Sequence, residues 1–401
     1  MLFWVGVVLV SLGFAVAQLK DAPYPFDVTT ITAPDTSVTA KFVSLGATMV
    51  EFWVNDKHSE SVDVIAGYDN SSLLLTDPVH PYFGPVVGRY ANRIKNGTFS
   101  IPISADPSAN ATNTFHVSTN ENNGADTLHG GFLGWDRREW TKVAQSKSSV
   151  TYSHFDAGDE GFPGNVTIFA TFTLGSNELN IKFFATASEP TPVMASQHVY
   201  WNLNAFRTKS EHTADWNSST ILNHTLHLPT AGHYIASDSI LVPTGEIIPV
   251  DGTALDFRKP NQIGARWDGV VGLCGAGCTG YDTAWIYDSS LNANGINGTT
   301  AGAQSAEPVT VLEGDLSGIR IEMFSDQPAV QVYSGNGMGT TPRKEVHGGS
   351  ELVYGKNSAV VIEQEGWIDA VNSPQWNVDQ IYEPGKNYVW DTTYRFSIVG
   401  R

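Results

Sequence analysis

The sequence predicts an all-β protein, most simply a large β-sandwich. Segment Val166–Ala187 alternates apolar and polar residues with period two around a short turn at Gly175–Glu178, which is typical of a β-hairpin. Short apolar runs recur along the chain between 38 glycines and 20 prolines. No segment has the long, capped, amphipathic pattern of a helix, so sheets must supply the core.

Several other segments support the same fold class. Val38–Val54 reads as β-branched and aromatic runs broken at Gly46, while Ile319–Met323 and Val330–Tyr333 are also typical of strands. Thr191–Leu203, TPVMASQHVYWNL, indicates a loop that enters a strand carrying His198. Asn292–Ser305 is a polar stretch expected to form a surface insertion. No composition break or fixed-period repeat divides the chain, so we expect one domain over residues 18–401.

The N-terminus predicts a secreted protein. Residues 1–17, MLFWVGVVLVSLGFAVA, form an apolar run that ends in Ala15-Val16-Ala17, a small-x-small cleavage pattern. Cleavage is therefore expected before Gln18. A membrane anchor is the alternative, but the run is short for a membrane span and no stop-transfer pattern follows it. The expectation is a protein of the extracellular space without a membrane partner.

Glycosylation and cysteine patterns agree with secretion. Seven N-x-[ST] sequons predict surface loops that can carry N-glycans, at Asn70, Asn96, Asn110, Asn165, Asn217, Asn223 and Asn297. The two cysteines, Cys274 and Cys278, lie in LCGAGC, and in an oxidising compartment a small loop-closing disulfide is expected. A structural zinc site needs four suitably spaced ligands, and no second cluster offers them, so no metal is expected.

The charge balance restricts the possible ligands. A formal net charge of −18 and a pI of about 4.9 give a surface that repels phosphate backbones, which argues against nucleic acid as a partner. Sugar phosphates are also disfavoured unless a local basic pocket exists. An uncharged polar ligand fits better.

Two residues suit acid–base chemistry. His198, between Gln197 and Tyr200, can exchange a proton near neutral pH. Alternatively, it is a core histidine whose nitrogens are satisfied by the backbone. Glu363 follows the apolar run Val360–Ile362, and partial desolvation at the end of a strand would raise its pKa and make it a better base. The alternative is a rim carboxylate paired with an arginine.

Three further motifs carry polar groups. In YFGPVVGRYANRIKNGTF, Asn92 and Arg93 can donate hydrogen bonds to hydroxyl oxygens, although arginines here are often structural. In LHGGFLGWDRREW, the two glycines after His129 would allow close approach to a ligand, unless the histidine only forms a turn. Asp282 in GYD follows a glycine turn, where an aspartate more often caps the turn.

Together these segments resemble the aldose 1-epimerases, or galactose mutarotases. GRYANRIKNGTF is similar to that family's GR-x-ANRI segment, LHGGFLGWDRREW to its LHGG…W segment and TPVMASQHVYWNL to its TPV…H-x-Y-F-N-L strand. LVPTGEIIPVDGTALDFR, GYD, PAVQVYSGN and IEQEGWIDAVN resemble its later segments in the same order. The resemblance runs from FVSLGATMVEFWV to YRFSIVG, nearly the whole chain after residue 17.

The resemblance implies one large β-sandwich with its site on a sheet face and no cofactor or metal. It places His198 on the family's general acid and Glu363 on its general base. The residues that match sugar-holding positions are Asn92, Arg93, His129, Asp282 and Gln331. Five positions depart from the family pattern, namely Val199, Trp201, Thr283, Glu365 and Ile368. Two of these bear on the ligand, since Trp201 is bulkier than the family's Phe and Glu365 adds a charge beside the base.

The expected chemistry is interconversion of α and β anomers of free hexoses such as glucose or galactose. An acid on the ring oxygen and a base on the C1 hydroxyl would open the ring without a free alkoxide. Trp201 or Trp367 could stack on the apolar face of the sugar, or belong to the core. Three alternatives remain. One is a secreted carbohydrate-binding β-sandwich protein without turnover, and another is an enzyme of the same fold for hexose 6-phosphates, which the acidic surface disfavours. The third is a lyase or glycosidase acting on polymers, which would need a long cleft.

Overall fold

A computed structural model describes residues 22–107, 113–207, 219–288 and 304–400, and antiparallel β-strands dominate these parts. In chain order the strands are β1 Val28–Thr32, β2 Val38–Val43, β3 Thr48–Asn55, β4 Ser61–Asp63, β5 Val86–Val87, β6 Ile94–Lys95, β7 Thr98–Ser100, β8 Thr114–His116, β9 Asp126–Thr127, β10 Thr141–Gln145, β11 Ser149–Asp156, β12 Val166–Gly175, β13 Glu178–Ala187, β14 Thr191–Pro192, β15 Ser196–Gln197, β16 Tyr200–Trp201, β17 Thr225–His227, β18 His233–Ser237, β19 Pro243–Pro249, β20 Asn261–Gln262, β21 Asp282–Ile286, β22 Thr310–Glu313, β23 Ile319–Ser325, β24 Ala329–Tyr333, β25 Val360–Glu365, β26 Ile381–Tyr382 and β27 Tyr388–Ile398. Helical segments are short, one α-helix (α1, Leu73–Thr76) and the 3-10 turns Trp135–Arg137, Ile263–Val270, Glu345–His347, Ala370–Asn372 and Pro374–Trp376.

Three sheets build a sandwich, as the sequence predicts. A nine-stranded sheet has the order β10-β11-β12-β13-β27-β23-β22-β17-β20, a six-stranded sheet the order β16-β25-β24-β21-β18-β19, and β1 to β4 form a third sheet. Apolar faces of all three share one core. A hydrogen bond from Trp390 Nε1 in β27 to the Gln364 carbonyl in β25, at 2.6 Å, joins the two larger sheets through this core.

The predicted hairpin and the strands predicted within Val38–Val54, Ile319–Met323 and Val330–Tyr333 are confirmed. In the hairpin of β12 and β13, Gly175 pairs with Glu178 across a two-residue turn, and Leu179 to Ala185 alternate between core and surface. β2 and β3 fill the Val38–Val54 segment, with the break at Gly46, whose φ of +64° favours glycine. The two later segments are β23 and β24.

Several predictions from the sequence fall outside the described residues. These are the leader at residues 1–17, residues 292–303 of the surface insertion, and the sequons at Asn110, Asn217 and Asn297. The other four sequon asparagines, Asn70, Asn96, Asn165 and Asn223, lie in loops or turns and are exposed. Across the described ranges, no helix has the length and apolar character needed to cross a membrane.

The outer face of the six-stranded sheet carries the polar residues of interest. Along β24 and β25, Val330, Val332 and Ile362 face the core, whereas Gln331 and Glu363 face the other way. This alternation follows from the two-residue period of a strand. The sheet therefore separates a packed apolar side from a polar side that loops cover.

Candidate active site

Strand pairing brings four polar side chains close together on one face of the six-stranded sheet. Three of them lie on neighbouring strands, and the fourth, His198, lies just before a strand at the sheet's edge. Gln331 of β24 lies directly opposite Glu363 of β25, and Asp282 of β21 lies diagonal to Gln331, within reach of its amide. On the other side, Tyr200 of β16 pairs with Val361 of β25. The strands are antiparallel, so continuing this register by two residues places His198 beside Glu363. Residues far apart in the chain thus meet on one sheet face.

His198 lies between two strands rather than within one, which corrects the predicted position. The preceding strand β15 pairs with β5, and the following strand β16 pairs with β25 in a different sheet. The backbone N–H of His198 donates to Pro85 O at 2.9 Å, and its carbonyl accepts from Gly84 N–H at 2.9 Å. This crossover fixes the ring at the edge of the six-stranded sheet, packed against Tyr82 and Tyr200.

The two proposed proton carriers are buried neighbours at the base of the sheet face. His198 Nε2 is 3.9 Å from Glu363 Oε2, and the two residues are 5% and 3% exposed. Burial lowers the pKa of His198 to about 4. Burial, followed by the nearby carboxyls of Glu365 and Asp282, raises the pKa of Glu363 well above its usual value. Both shifts favour a proton on the carboxyl over a proton on the imidazole.

The guanidinium of Arg93 is bound by acidic residues. Its Nε and Nη2 donate to the two carboxylate oxygens of Glu121 at 2.7 and 2.9 Å, a bidentate pair. Its Nη2 also lies 3.8 Å from Asp282 Oδ2, and Asp282 Oδ1 accepts from Gln331 Nε2 at 2.5 Å. Glu121 was not found from the sequence, because it lies in a polar loop with no pattern that distinguishes it from other surface residues.

Asn92 contacts the protein more than its predicted sugar-binding role requires. Its Nδ2 donates to Glu365 Oε1 at 2.9 Å, and its Oδ1 accepts from the backbone N–H of Arg93 at 2.8 Å. The amide thus holds the buried carboxyl of Glu365, whose pKa burial raises to about 8. Asn92 still borders the cavity, so one amide hydrogen remains available for a ligand.

His129 is fixed by its backbone and its ring. Its φ is +52°, and its Nδ1 bonds to the carbonyl of Ala91. The following glycines do not face a ligand as predicted. A side chain on Gly130 would meet Gly88 O at 2.1 Å, and one on Gly131 would meet the Glu160 carboxyl at 2.4 Å. They are needed for close backbone packing, which in turn aims His129 at the site.

All seven residues singled out in the sequence line one cavity of about 400 Å³, a size typical of small-molecule sites. They are Asn92, Arg93, His129, His198, Asp282, Gln331 and Glu363. Cys274 and Cys278 also line it, and they form the predicted disulfide. In the described parts of the chain, no group of three or more His, Cys, Asp or Glu residues is arranged to hold a metal ion.

Comparison with known proteins agrees with this geometry. The model of the family described as aldose 1-epimerase matches residues 27–395. The chain belongs to the aldose 1-epimerase family. It is therefore an isomerase with the sandwich fold that the sequence predicts.

The relatives cover nearly the whole chain. A probable aldose 1-epimerase of Arthroderma benhamiae is 38% identical over 93% of this chain and 87% of its own length. Human galactose mutarotase is 31% identical over 89% of this chain and 90% of its own. Among solved structures, a GalM/aldose epimerase homologue from C. elegans aligns with a TM-score of 0.74 at 25% identity, covering 93% of this chain and 99% of that one.

The two tryptophans that were considered as sugar platforms, Trp201 and Trp367, belong to the core. Trp201 is fully buried and packs against Phe52, Tyr394 and Phe396 in the main core, so its bulk does not restrict the ligand. Trp367 is also fully buried, beside Trp376. Neither tryptophan borders the cavity, and the suggestion that either stacks on a sugar is wrong.

Arg89 has the structural role that was considered for both arginines of the GRYANRI segment. It is 1% exposed and bonds to Asp156 and to the carbonyls of Pro163 and Gly164. Its positive charge is therefore paired with Asp156, and the residue does not line the cavity. Among the described residues that line the cavity, Arg93 is the single arginine or lysine.

Proposed function

We propose that this protein is a secreted aldose 1-epimerase that interconverts the α and β anomers of free hexoses such as glucose and galactose by acid–base ring opening and closure. The observation that carries the proposal is the 3.9 Å separation of His198 Nε2 and Glu363 Oε2 within a cavity large enough for a hexose. Relatives named as galactose mutarotases support the sugar class.

The reaction needs proton transfer at two oxygens bonded to the same carbon. His198 donates a proton to the ring oxygen while Glu363 takes the proton of the C1 hydroxyl, and the bond between C1 and the ring oxygen breaks. The resulting aldehyde rotates about the C1–C2 bond. Closure reverses both transfers: His198 recovers its proton from the C5 hydroxyl, and Glu363 returns a proton to the former carbonyl oxygen. Because both oxygens are attached to C1, side chains 3.9 Å apart can serve them together.

The directions of the two pKa shifts fit this cycle. Burial lowers the pKa of His198 and raises that of Glu363, so a proton shared by the pair favours the carboxyl. That arrangement closes an open-chain sugar, whereas opening a cyclic sugar requires the proton on His198. Each half of the reaction converts one arrangement into the other. The pair therefore returns to its starting state after every complete turnover.

The charges in the cavity favour neutral sugars over hexose 6-phosphates. Arg93 already bonds to Glu121 and lies near Asp282, so its charge is offset before a ligand arrives. A phosphate would enter a cavity lined by Glu121, Asp282 and Glu363 without an uncommitted cation among the described lining residues. Neutral hydroxyls can instead donate to these carboxyl oxygens.

Polarimetry on freshly dissolved α-galactose and α-glucose tests the activity. The purified protein should speed the decay of optical rotation above the buffer rate, and His198→Ala and Glu363→Gln should each reduce kcat by about 10²–10⁴-fold. His233→Ala removes an imidazole outside the cavity and should leave the rate unchanged. Folded wild-type protein that accelerates neither sugar would reject the proposal.

The secretion part of the proposal rests on separate features. The leader pattern of residues 1–17, the Cys274–Cys278 disulfide and the four exposed sequon asparagines all suit an oxidising secretory route. Expression of the full chain in a eukaryotic secretory host should release protein that begins at Gln18 and shifts in gel mobility after N-glycosidase treatment. Protein retained in the cells with its leader intact would contradict this part.

A further inference from the structure

The loop closed by Cys274 and Cys278 contributes directly to the cavity that holds the His198–Glu363 pair. Both cysteines line that cavity, together with Leu241 from a neighbouring turn. Two sulfur atoms and a leucine make this part of the wall apolar, in contrast to the carboxyls at its base. We call residues 271–279 the cystine loop.

The cystine loop is mostly exposed, and backbone hydrogen bonds such as Gly272 N–H to Cys278 O at 2.7 Å hold it together with the disulfide. Val271 is 68% exposed and most of the loop is exposed or half-buried. Gly272, Gly275 and Gly277 all have positive φ, and glycine loses the most conformational freedom on ordering. Apart from Leu273, which packs against the main core, the loop buries little side-chain surface, so the disulfide adds a covalent constraint to the backbone hydrogen bonds that position this wall.

Hydrogen bonds connect the cystine loop to the groups that hold Arg93. Ala276 N–H donates to Ser239 O at 2.9 Å, in the turn that carries Leu241 into the cavity. The next carbonyl of that turn, Ile240 O, accepts from Asn122 Nδ2 at 2.9 Å. Asn122 is adjacent in sequence to Glu121, the bidentate partner of Arg93. The cystine loop is therefore one of three loops linked by hydrogen bonds.

We propose that the Cys274–Cys278 disulfide sets the affinity of the site for its sugar by holding the cystine loop and Leu241 as one wall of the cavity. This inference rests on the proposed function and names a part of that site outside the proton-transfer pair. His198 and Glu363 stand on the sheet and its edge, away from the loop, so reduction changes binding and leaves proton transfer intact. When this wall loosens, it makes fewer contacts with the bound sugar, and the affinity for the sugar falls.

Kinetics before and after reduction test the inference. The chain contains two cysteines, so dithiothreitol acts on this one bond. Thiol titration should find two thiols after reduction. KM for galactose should then rise about fivefold or more, which corresponds to about 1 kcal/mol of lost apolar contact, with kcat within about twofold. The double variant Cys274→Ser/Cys278→Ser should behave as the reduced wild type does and should not respond to dithiothreitol.

Other outcomes separate this inference from the proposed function. An unchanged KM with two thiols titrated would overturn the role of the disulfide, even if the enzyme is active. If the double variant fails to fold, Leu241→Ala is the second variant, and it should raise KM in the same way with kcat preserved. If oxidised wild-type protein turns over no hexose, the proposed function fails, and calorimetric binding of galactose to oxidised and reduced protein still decides whether the wall governs affinity.

Discussion

Replacing Glu365 with glutamine should move the alkaline limb of the pH–activity profile to lower pH. Glu365 lies two residues after Glu363 on β25 and faces the same side of the sheet. Its Oε1 accepts from Asn92, while its Oε2 is buried without a hydrogen-bond partner among the described residues. Glutamine keeps the shape and the acceptor, so Glu365→Gln removes a buried carboxyl with little structural cost.

The size of the effect follows from the strand geometry. Residues two apart on a strand are about 6.7 Å apart, and two unit charges about 7 Å apart repel by about 2 kcal/mol at an effective dielectric constant of about 20. The pKa of Glu365 is raised to about 8, so above that pH the residue is charged and opposes ionisation of Glu363. Without it, Glu363 loses its proton more readily. The alkaline limb of kcat/KM should therefore move to lower pH by about one unit or more.

At neutral pH the effect should be small. The pKa of Glu365 is about 8, so at pH 7 the residue is mostly protonated and glutamine replaces a group that is already uncharged. We expect kcat/KM at pH 7 to stay within about twofold of the wild-type value. Polarimetry with α-galactose from pH 5 to 10, corrected for buffer catalysis, gives the profile. Glu351→Gln, which removes an exposed carboxylate, is the control.

An alkaline limb of Glu365→Gln that stays in place, or moves to higher pH, would refute this account of the pair. A uniform loss of activity at every pH would instead assign Glu365 a purely structural role. Circular dichroism and thermal unfolding of both variants distinguish altered titration from altered folding. The wild-type profile measured in the same buffers provides the reference.

Three further changes have distinct expected results. Arg93→Lys should raise KM about tenfold, because lysine cannot reproduce the two parallel bonds to Glu121; an unchanged KM in steady-state assays would contradict that role. Gly130→Ala should lower the free energy of unfolding by about 2 kcal/mol or more, measured by denaturant titration, since its φ is +88° and its Cβ would meet Gly88 O. Trp201→Phe should cost about 0.5–3 kcal/mol of stability yet leave KM within twofold, and a large KM change would place that ring at the ligand after all.

Much of the fold could be predicted because apolar and polar residues alternate locally along each strand. The hairpin of β12 and β13 shows it, since the apolar residues of each strand share the face that packs into the core. Strand order is different. His198, Gln331 and Glu363 become neighbours only through the pairing of β16, β25 and β24, which joins distant segments. Alternation assigns a face to each side chain but not a neighbour, so the resemblance to a family was needed to bring them together.

The errors in the prediction have one physical source. They concern packing between residues distant in sequence, which a local sequence pattern cannot show. Trp201 has the aromatic character of a sugar platform, yet its strand position turns it into the core. Gly130 and Gly131 seemed to leave room for a ligand, yet that room is taken by Gly88 and by Glu160. Glu121 is an ordinary loop residue in sequence and becomes important only because Arg93 lies against it.

Burial links the protonation of the pair to the kind of substrate the site accepts. Asp282, Glu363 and Glu365 share a small volume in which Arg93, already bonded to Glu121, is the one nearby arginine or lysine that lines the described cavity. Burial raises the pKa of all three carboxyls, because ionising them together in a desolvated site would be too costly. Of these three carboxyls, Glu363 is the one whose proton ring closure uses. An anionic sugar would add another charge to the same volume, whereas a neutral aldose adds hydroxyls that can bond to carboxyls in either protonation state.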